Sequence, residues 1–131
     1  MGKVRVAAFG VSIDGFGAGP DQSLEHPLGK RGQELMNWFY PTRAFRSMLG
    51  QDGGTDDRFA DAAMEGFGAF ILGRNMFGPA GDDWGGPDWK GWWGEDPPYH
   101  APTFILTHHA RAPIAMEGGT TFHFVTEGIE A

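Results

Sequence analysis

Hydrophobic positions along this chain come in short runs separated by glycine- and proline-rich stretches. Residues 3–11 are β-rich with no strong alternation after Val6, which suits a strand covered on both faces, as in the middle of an α/β sheet. Residues 14–20, with glycine at 15, 17 and 19, break all regular structure. Residues 33–39 fit a short helix stopped by Pro41. Thr42 can cap a second stretch over 43–49, which ends at Gly50. A turn follows at 51–54. Thr55 or Asp56 then caps a helix to about residue 65, with Phe59, Ala62, Ala63 and Gly66 on one side. Residues 69–72 read as a short buried strand, and 73–78 as a strand-to-helix or strand-to-loop junction. Residues 79–102 form a long loop holding Trp84, Trp89, Trp92 and Trp93. Residues 103–107 and 120–125 are the third and fourth strands, and 127–131 resemble the first turn of a helix. No internal repeat is visible. This order predicts an α/β sandwich, with 1–131 as one domain.

Composition narrows the function. The 131 residues are 40% hydrophobic and 21% charged, which suits a globular chain with one core. The absence of cysteine excludes a disulfide framework, a zinc ribbon and a thiol nucleophile. A formal charge of −7 with no basic stripe argues against a nucleic-acid partner. No apolar run approaches the ~20 residues that span a bilayer, and no leader pattern is present, so a cytoplasmic setting without a membrane partner is expected. The 22 glycines imply many turns, or backbone that something approaches closely.

Several constellations can carry chemistry. Gly73, Arg74, Asn75 and Met76 follow an apolar strand directly. Glycine at a strand end lets a phosphate reach the backbone, and arginine offers a planar fork. An ordinary tight turn with a solvated arginine is the plain alternative. Leu106, Thr107, His108, His109 and Arg111 follow the next strand, and their hydroxyl, imidazole and guanidinium groups suit an anion or an adenine ring. An extended backbone there would point His108 and His109 to opposite faces, which argues against a shared metal. Ligands of open α/β sheets bind outside the carboxyl ends of strands, so the two junctions can grip one phosphorylated cofactor together. Gly15, Gly17 and Gly19 lack the spacing of a dinucleotide fingerprint, and a loop lying over a flat ligand fits them better. Asp57, Asp61 and Glu65 share a helix face, either as helix-start charges or as carboxylates aimed at a heterocycle. The tryptophans of the long loop suit a lid or a subunit interface, and so a homodimer, better than a carbohydrate surface.

Residues 11–16, 70–77, 91–100, 104–109 and 122–131 occur in an order that resembles the dihydrofolate-reductase-like superfamily. The nearest branch is the reductase domain of the bifunctional riboflavin-biosynthesis deaminase–reductase. The Ile-Leu-Gly-Arg and Leu-Thr-His-His junctions are its more specific parts. The resemblance implies a three-layer sandwich with a mainly parallel central sheet flanked by helices, and NADPH-dependent reduction of a pteridine-like or pyrimidine-like ring. It implies cofactor contacts from Ala7 and Ala8 at the end of the first strand, and from Asp14, Gly15, Gly17 and Ala18 in the glycine loop. Gly73, Arg74, Asn75 and Met76 would hold the pyrophosphate and 2′-phosphate, and Leu106, Thr107, His108 and His109 would border the adenine ribose. Asp57 is the best match to the family's substrate-contacting acid, with Asp61 its rival. No metal is implied. Family members continue beyond the segment matching 128–131, so the C-terminal part of the fold is expected to be missing. The rival expectations are a non-catalytic nucleotide-binding or protein-interaction module of the same fold, and a sugar-binding module.

Overall fold

The computed structural model describes residues 2–6, 10–47, 49, 56–78 and 86–128, and of Met64 the backbone alone. The chain forms two compact units, Met1–Glu65 and Gly66–Ala131. Among the described residues the chain is α/β, with a four-stranded mixed sheet.

In the first unit a 3-10 turn, Gly32–Met36, leads to α1 (Arg43–Ser47) and α2 (Asp57–Met64), which pack together. Thr42 starts α1 as its sequence predicts: its hydroxyl accepts the Phe45 N–H at 3.4 Å and donates to Phe39 O at 2.6 Å. The two helices are joined at their start by Arg43. Its backbone N–H and its guanidinium both donate to Asp57, the latter at 3.0 Å.

The first strand expected at 3–11 is not a strand in its described part, residues 3–6 and 10–11. Val4 and Val6 are 91% and 87% exposed, so their apolar pattern finds no sheet to cover. Arg5 instead donates to Ala62 O at 3.3 Å and Glu65 O at 3.0 Å, supplying donors to carbonyls that the end of α2 leaves open.

The glycine-rich stretch also behaves differently from expectation. Its close approach is to its own chain. Gly19 N–H donates to Leu28 O at 2.7 Å and Lys30 N–H to Pro20 O at 2.8 Å. A side chain at Gly19 would run into Lys30 O, and one at Gly29 into Gly19 O. The two backbones cross where only hydrogen fits, and Gly29 also needs its φ of +75°.

The second unit holds β1 (Phe70–Gly73), α3 (Arg74–Phe77), β2 (Pro102–Leu106), β3 (Ile114–Ala115) and β4 (Thr121–Val125). Their order is β1-β2-β4-β3, with β1, β2 and β4 parallel and β3 antiparallel to β4. The register pairs Leu72 with Ile105 and Ile105 with Phe124. Phe70, Leu72, Thr103, Ile105, Phe122 and Phe124 therefore share one face, and Ile71, Phe104, Leu106, His123 and Val125 the other. The first face carries the core of Phe77, Ile105 and Phe122, packed by Leu72, Trp89, Tyr99, Ile114, Met116 and Phe124. On the other face the Phe104 ring stacks on His123 at 5.2 Å.

A parallel pair needs a long crossover, usually a helix. Among the described residues between β1 and β2 the helix is the four residues of α3, and aromatic rings pack against it. Trp89 meets Trp92 edge to face at 4.8 Å. Trp89 Nε1 donates to Phe77 O at 3.0 Å and Trp92 Nε1 to Asn75 O at 3.3 Å, so both indoles close the carbonyls of α3. Burial pushes the Tyr99 hydroxyl pKa above its ordinary value.

Candidate functional site at the carboxyl ends of the parallel strands

The parallel register brings Gly73 beside Leu106 and Leu106 beside Val125, so β1, β2 and β4 all end at one edge of the sheet. A cavity of about 340 Å³ opens there. Arg74 contributes from the junction after β1, Leu106 to His109 from the end of β2, and Val125, Thr126 and Gly128 from the end of β4. This size lies at the low end of the usual range for small-molecule sites, roughly 300–1,000 Å³.

Local chemistry explains the wall made by β2. Thr107 is buried, and its N–H donates to Val125 O at 3.1 Å, the last bond of the ladder. Its hydroxyl accepts the His109 N–H at 3.1 Å, which ends the extended run. The chain bends at 108–109, and both histidines line the cavity instead of pointing to opposite faces. Arg74 is half-buried, and a Cβ at Gly78 would stand 3.3 Å from its Nη1, so the guanidinium lies along its own short helix. Among the described residues the lining carries one guanidinium, two imidazoles and two hydroxyls and no carboxylate, on a chain of net charge −7. Such a donor set suits an anion, and phosphate in particular.

Arg111 stands apart from this wall. It donates to Trp89 O at 2.6 Å and Pro87 O at 3.2 Å, and its guanidinium lies 5.8 and 5.6 Å from the centres of the Phe77 and Phe124 rings. Burial lowers its pKa from the usual arginine value. It fastens the tryptophan loop to the core.

Of the residues singled out from the sequence, Arg74, Leu106, Thr107, His108 and His109 line the cavity. Gly73, Asn75 and Met76 flank it in sequence without lining it. Gly73 starts α3 with an ordinary φ of −71°, and a Cβ there would meet nothing within 4 Å. Asn75 and Met76 are exposed, the latter at 54%. Asp14, Gly15, Gly17, Ala18 and Asp57 belong to the first unit. Ser12 Oγ donates to Asp14 at 2.6 Å and lowers its pKa, in an exposed turn that Gly15 completes with a φ of +90°. Gly17 is exposed and Ala18 half-buried. Asp57 is engaged by Arg43, and Asp61 lies 3.6 Å from the same guanidinium. Ala7, Ala8 and Trp84 lie outside the described residues.

Val125, Thr126 and Gly128 are the lining residues that sequence reasoning did not select. The strand over 120–125 was legible, and the rule that ligands sit beyond strand carboxyl ends applied to it as much as to its neighbours. Among the described residues no group of three or more His, Asp or Glu side chains is placed to hold a metal ion, and no helix is long and apolar enough to cross a membrane. No protein-family model matches this chain, and no curated protein matches it.

Proposed function

We propose that the chain is an NADPH-dependent reductase of the dihydrofolate-reductase-like kind, acting in the cytoplasm on a pteridine-like or pyrimidine-like ring. One observation supports the reading: two junctions chosen from sequence for phosphate chemistry, at Arg74 and at 106–109, meet in one cavity whose lining, among the described residues, has a guanidinium, two imidazoles and two hydroxyls and no acid. The residues fit the phosphate and ribose end of the dinucleotide. Arg74 would balance part of its charge, and the two imidazoles and the hydroxyls of Thr107 and Thr126 are available to donate to its oxygens. The cavity takes that end of the cofactor and leaves the remainder outside it. The dinucleotide, when bound, supplies the hydride. The protein's part is to hold and orient the charged end in surroundings less polar than water, where each contact is stronger.

The test is a titration of the chain with NADPH and with NADH, read by tryptophan fluorescence. Trp89 is a suitable reporter, since its indole and the Arg74 guanidinium both lie against Gly78. Arg74→Ala is expected to weaken NADPH binding by about 1–3 kcal/mol, as for loss of a charge-assisted bond, and NADH binding much less. Equal losses for both cofactors would refute the assignment. Binding without oxidation of NADPH, whatever heterocycle is added, would favour the non-catalytic nucleotide-binding module.

A further inference from the structure

We propose that Thr107 is a positioning residue for the cofactor: its hydroxyl sets the bend after β2 that turns both imidazoles into the cavity, and the grip on the dinucleotide depends on it through them. The inference rests on the cofactor reading given above. Neighbouring side chains of an extended strand alternate between faces. A strand continued past Leu106 would send His109 with Ile105 to the core side and His108 with Leu106 to the other. Both histidines line the cavity, so the extended run has to end at this point.

No residue of unusual backbone freedom makes the bend. Residues 107–112 contain neither glycine nor proline, and none of them has a positive φ. The agent is a side chain. Thr107 is 8% exposed and its N–H donates to Val125 O, so its backbone belongs to the ladder. A β-branched side chain has few rotamers, and enclosure leaves fewer. Its oxygen is thus a fixed acceptor, and it accepts the N–H of the residue two positions on at 3.1 Å. Threonine in this arrangement imitates a backbone turn. A different residue holds the far end of the segment. Arg111 donates to Trp89 O and Pro87 O, which fixes where the chain goes after the bend. Thr107 fixes where the bend starts. Serine would keep the oxygen in place. Valine keeps the shape without the oxygen, which opens the His109 N–H to water and lets 108–109 straighten. Straightening takes one imidazole away from the cavity, with its hydrogen bond to the anion.

The experiment is calorimetric titration of the whole chain with NADPH. The wild type, Thr107→Val and Thr107→Ser are compared, each also in a chain carrying His108→Ala and His109→Ala. Thr107→Val is expected to weaken binding about three- to tenfold, as for loss of one hydrogen bond, and Thr107→Ser by less than about twofold. Without the imidazoles the cost of Thr107→Val should fall to about twofold or less, the share left to the hydroxyl's own proton. Hydrogen exchange at the His109 amide, measured without nucleotide, should be roughly tenfold faster in Thr107→Val and unchanged in Thr107→Ser. An equal cost with and without the imidazoles would make Thr107 a direct ligand contact and overturn the proposal. Unchanged exchange or unchanged affinity in Thr107→Val would assign the bend to Arg111 and overturn it too. A wild type that takes no NADPH would refute the cofactor reading and the proposal with it; that result stands apart from the others because the His109 amide would still answer to the Thr107 oxygen. If Thr107→Val does not fold, Thr107→Ala against Thr107→Ser decides, since the two differ by the oxygen alone.

Discussion

Arg111→Met separates two roles that one side chain can play. As spaced in the sequence, Arg111 belongs with His108 and His109 and would answer to a ligand's phosphate. In the structure it holds residues 87–89 against the core. The cost of the substitution follows from its contacts. The bond to Trp89 O is short, at 2.6 Å, and half-buried, so it deserves a charge-assisted value of about 1.5–3 kcal/mol. The bond to Pro87 O is longer and exposed, and adds nearly nothing. The two ring contacts lie close to the ~6 Å limit of cation–π attraction and add about 0.5 kcal/mol. Methionine keeps much of the apolar stem, so packing against Phe77 and Phe124 is largely retained. The sum is about 2–3.5 kcal/mol, or a fall in Tm of roughly 10 °C for a chain of this size. Thermal unfolding followed by calorimetry measures it. Trp89 should become more solvated in the folded state, with its emission shifted to the red. An unchanged Tm combined with lost NADPH binding would refute the structural role and return Arg111 to the ligand site.

Three further outcomes are expected. Gly118→Ala should cost about 1–3 kcal/mol, because φ is +68° and the new methyl runs into the Asp96 carboxylate and the His100 ring; Asp96→Ala in the same chain should recover only the part due to the clash, read by chemical denaturation. Asp57→Ala removes the acceptor of two Arg43 donors and should destabilise the chain by about 1–2 kcal/mol, with Asp61→Ala below about 0.5 because its contact is longer and more exposed. Full stability of Asp57→Asn with lost reductase turnover would instead mark Asp57 as a substrate contact. Phe77→Ala, at a position 1% exposed among Phe122, Phe124 and Gly91, should cost about 3–5 kcal/mol and leave the second unit unfolded at ambient temperature.

The three parallel strands were legible because each is a short apolar run bounded by glycine, proline or threonine, and α2 because its acids and its apolar side recur at helical spacing. The two-residue β3 was not, since Ile114 and Ala115 are too few to show any period. The apolar run at 3–11 misled in its described part because hydrophobicity announces a strand only if a neighbouring strand is there to pair with it. The bend at His108 and His109 escaped a period-two argument because one hydroxyl, that of Thr107, captured the His109 N–H. Arg111 was misassigned by proximity in sequence, although the carbonyls it serves belong to residues more than twenty positions earlier. Local pattern located the junctions of the cavity; long-range hydrogen bonds decided which of their side chains face it.

The aromatic layer over β1 also sets the order in which this unit can form during synthesis. A four-residue helix has no stability of its own, since its nucleation cost exceeds what so few bonds return. Its carbonyls are closed only when Trp89 and Trp92 arrive, and that loop is fastened only when Arg111 has left the ribosome. The second parallel partner of β2, residues 121–125, comes later still. Nascent chains stopped before Arg111 should therefore remain open to proteolysis between β1 and β2, and protection should appear in one late step, as expected where the stabilising contacts are distant in sequence.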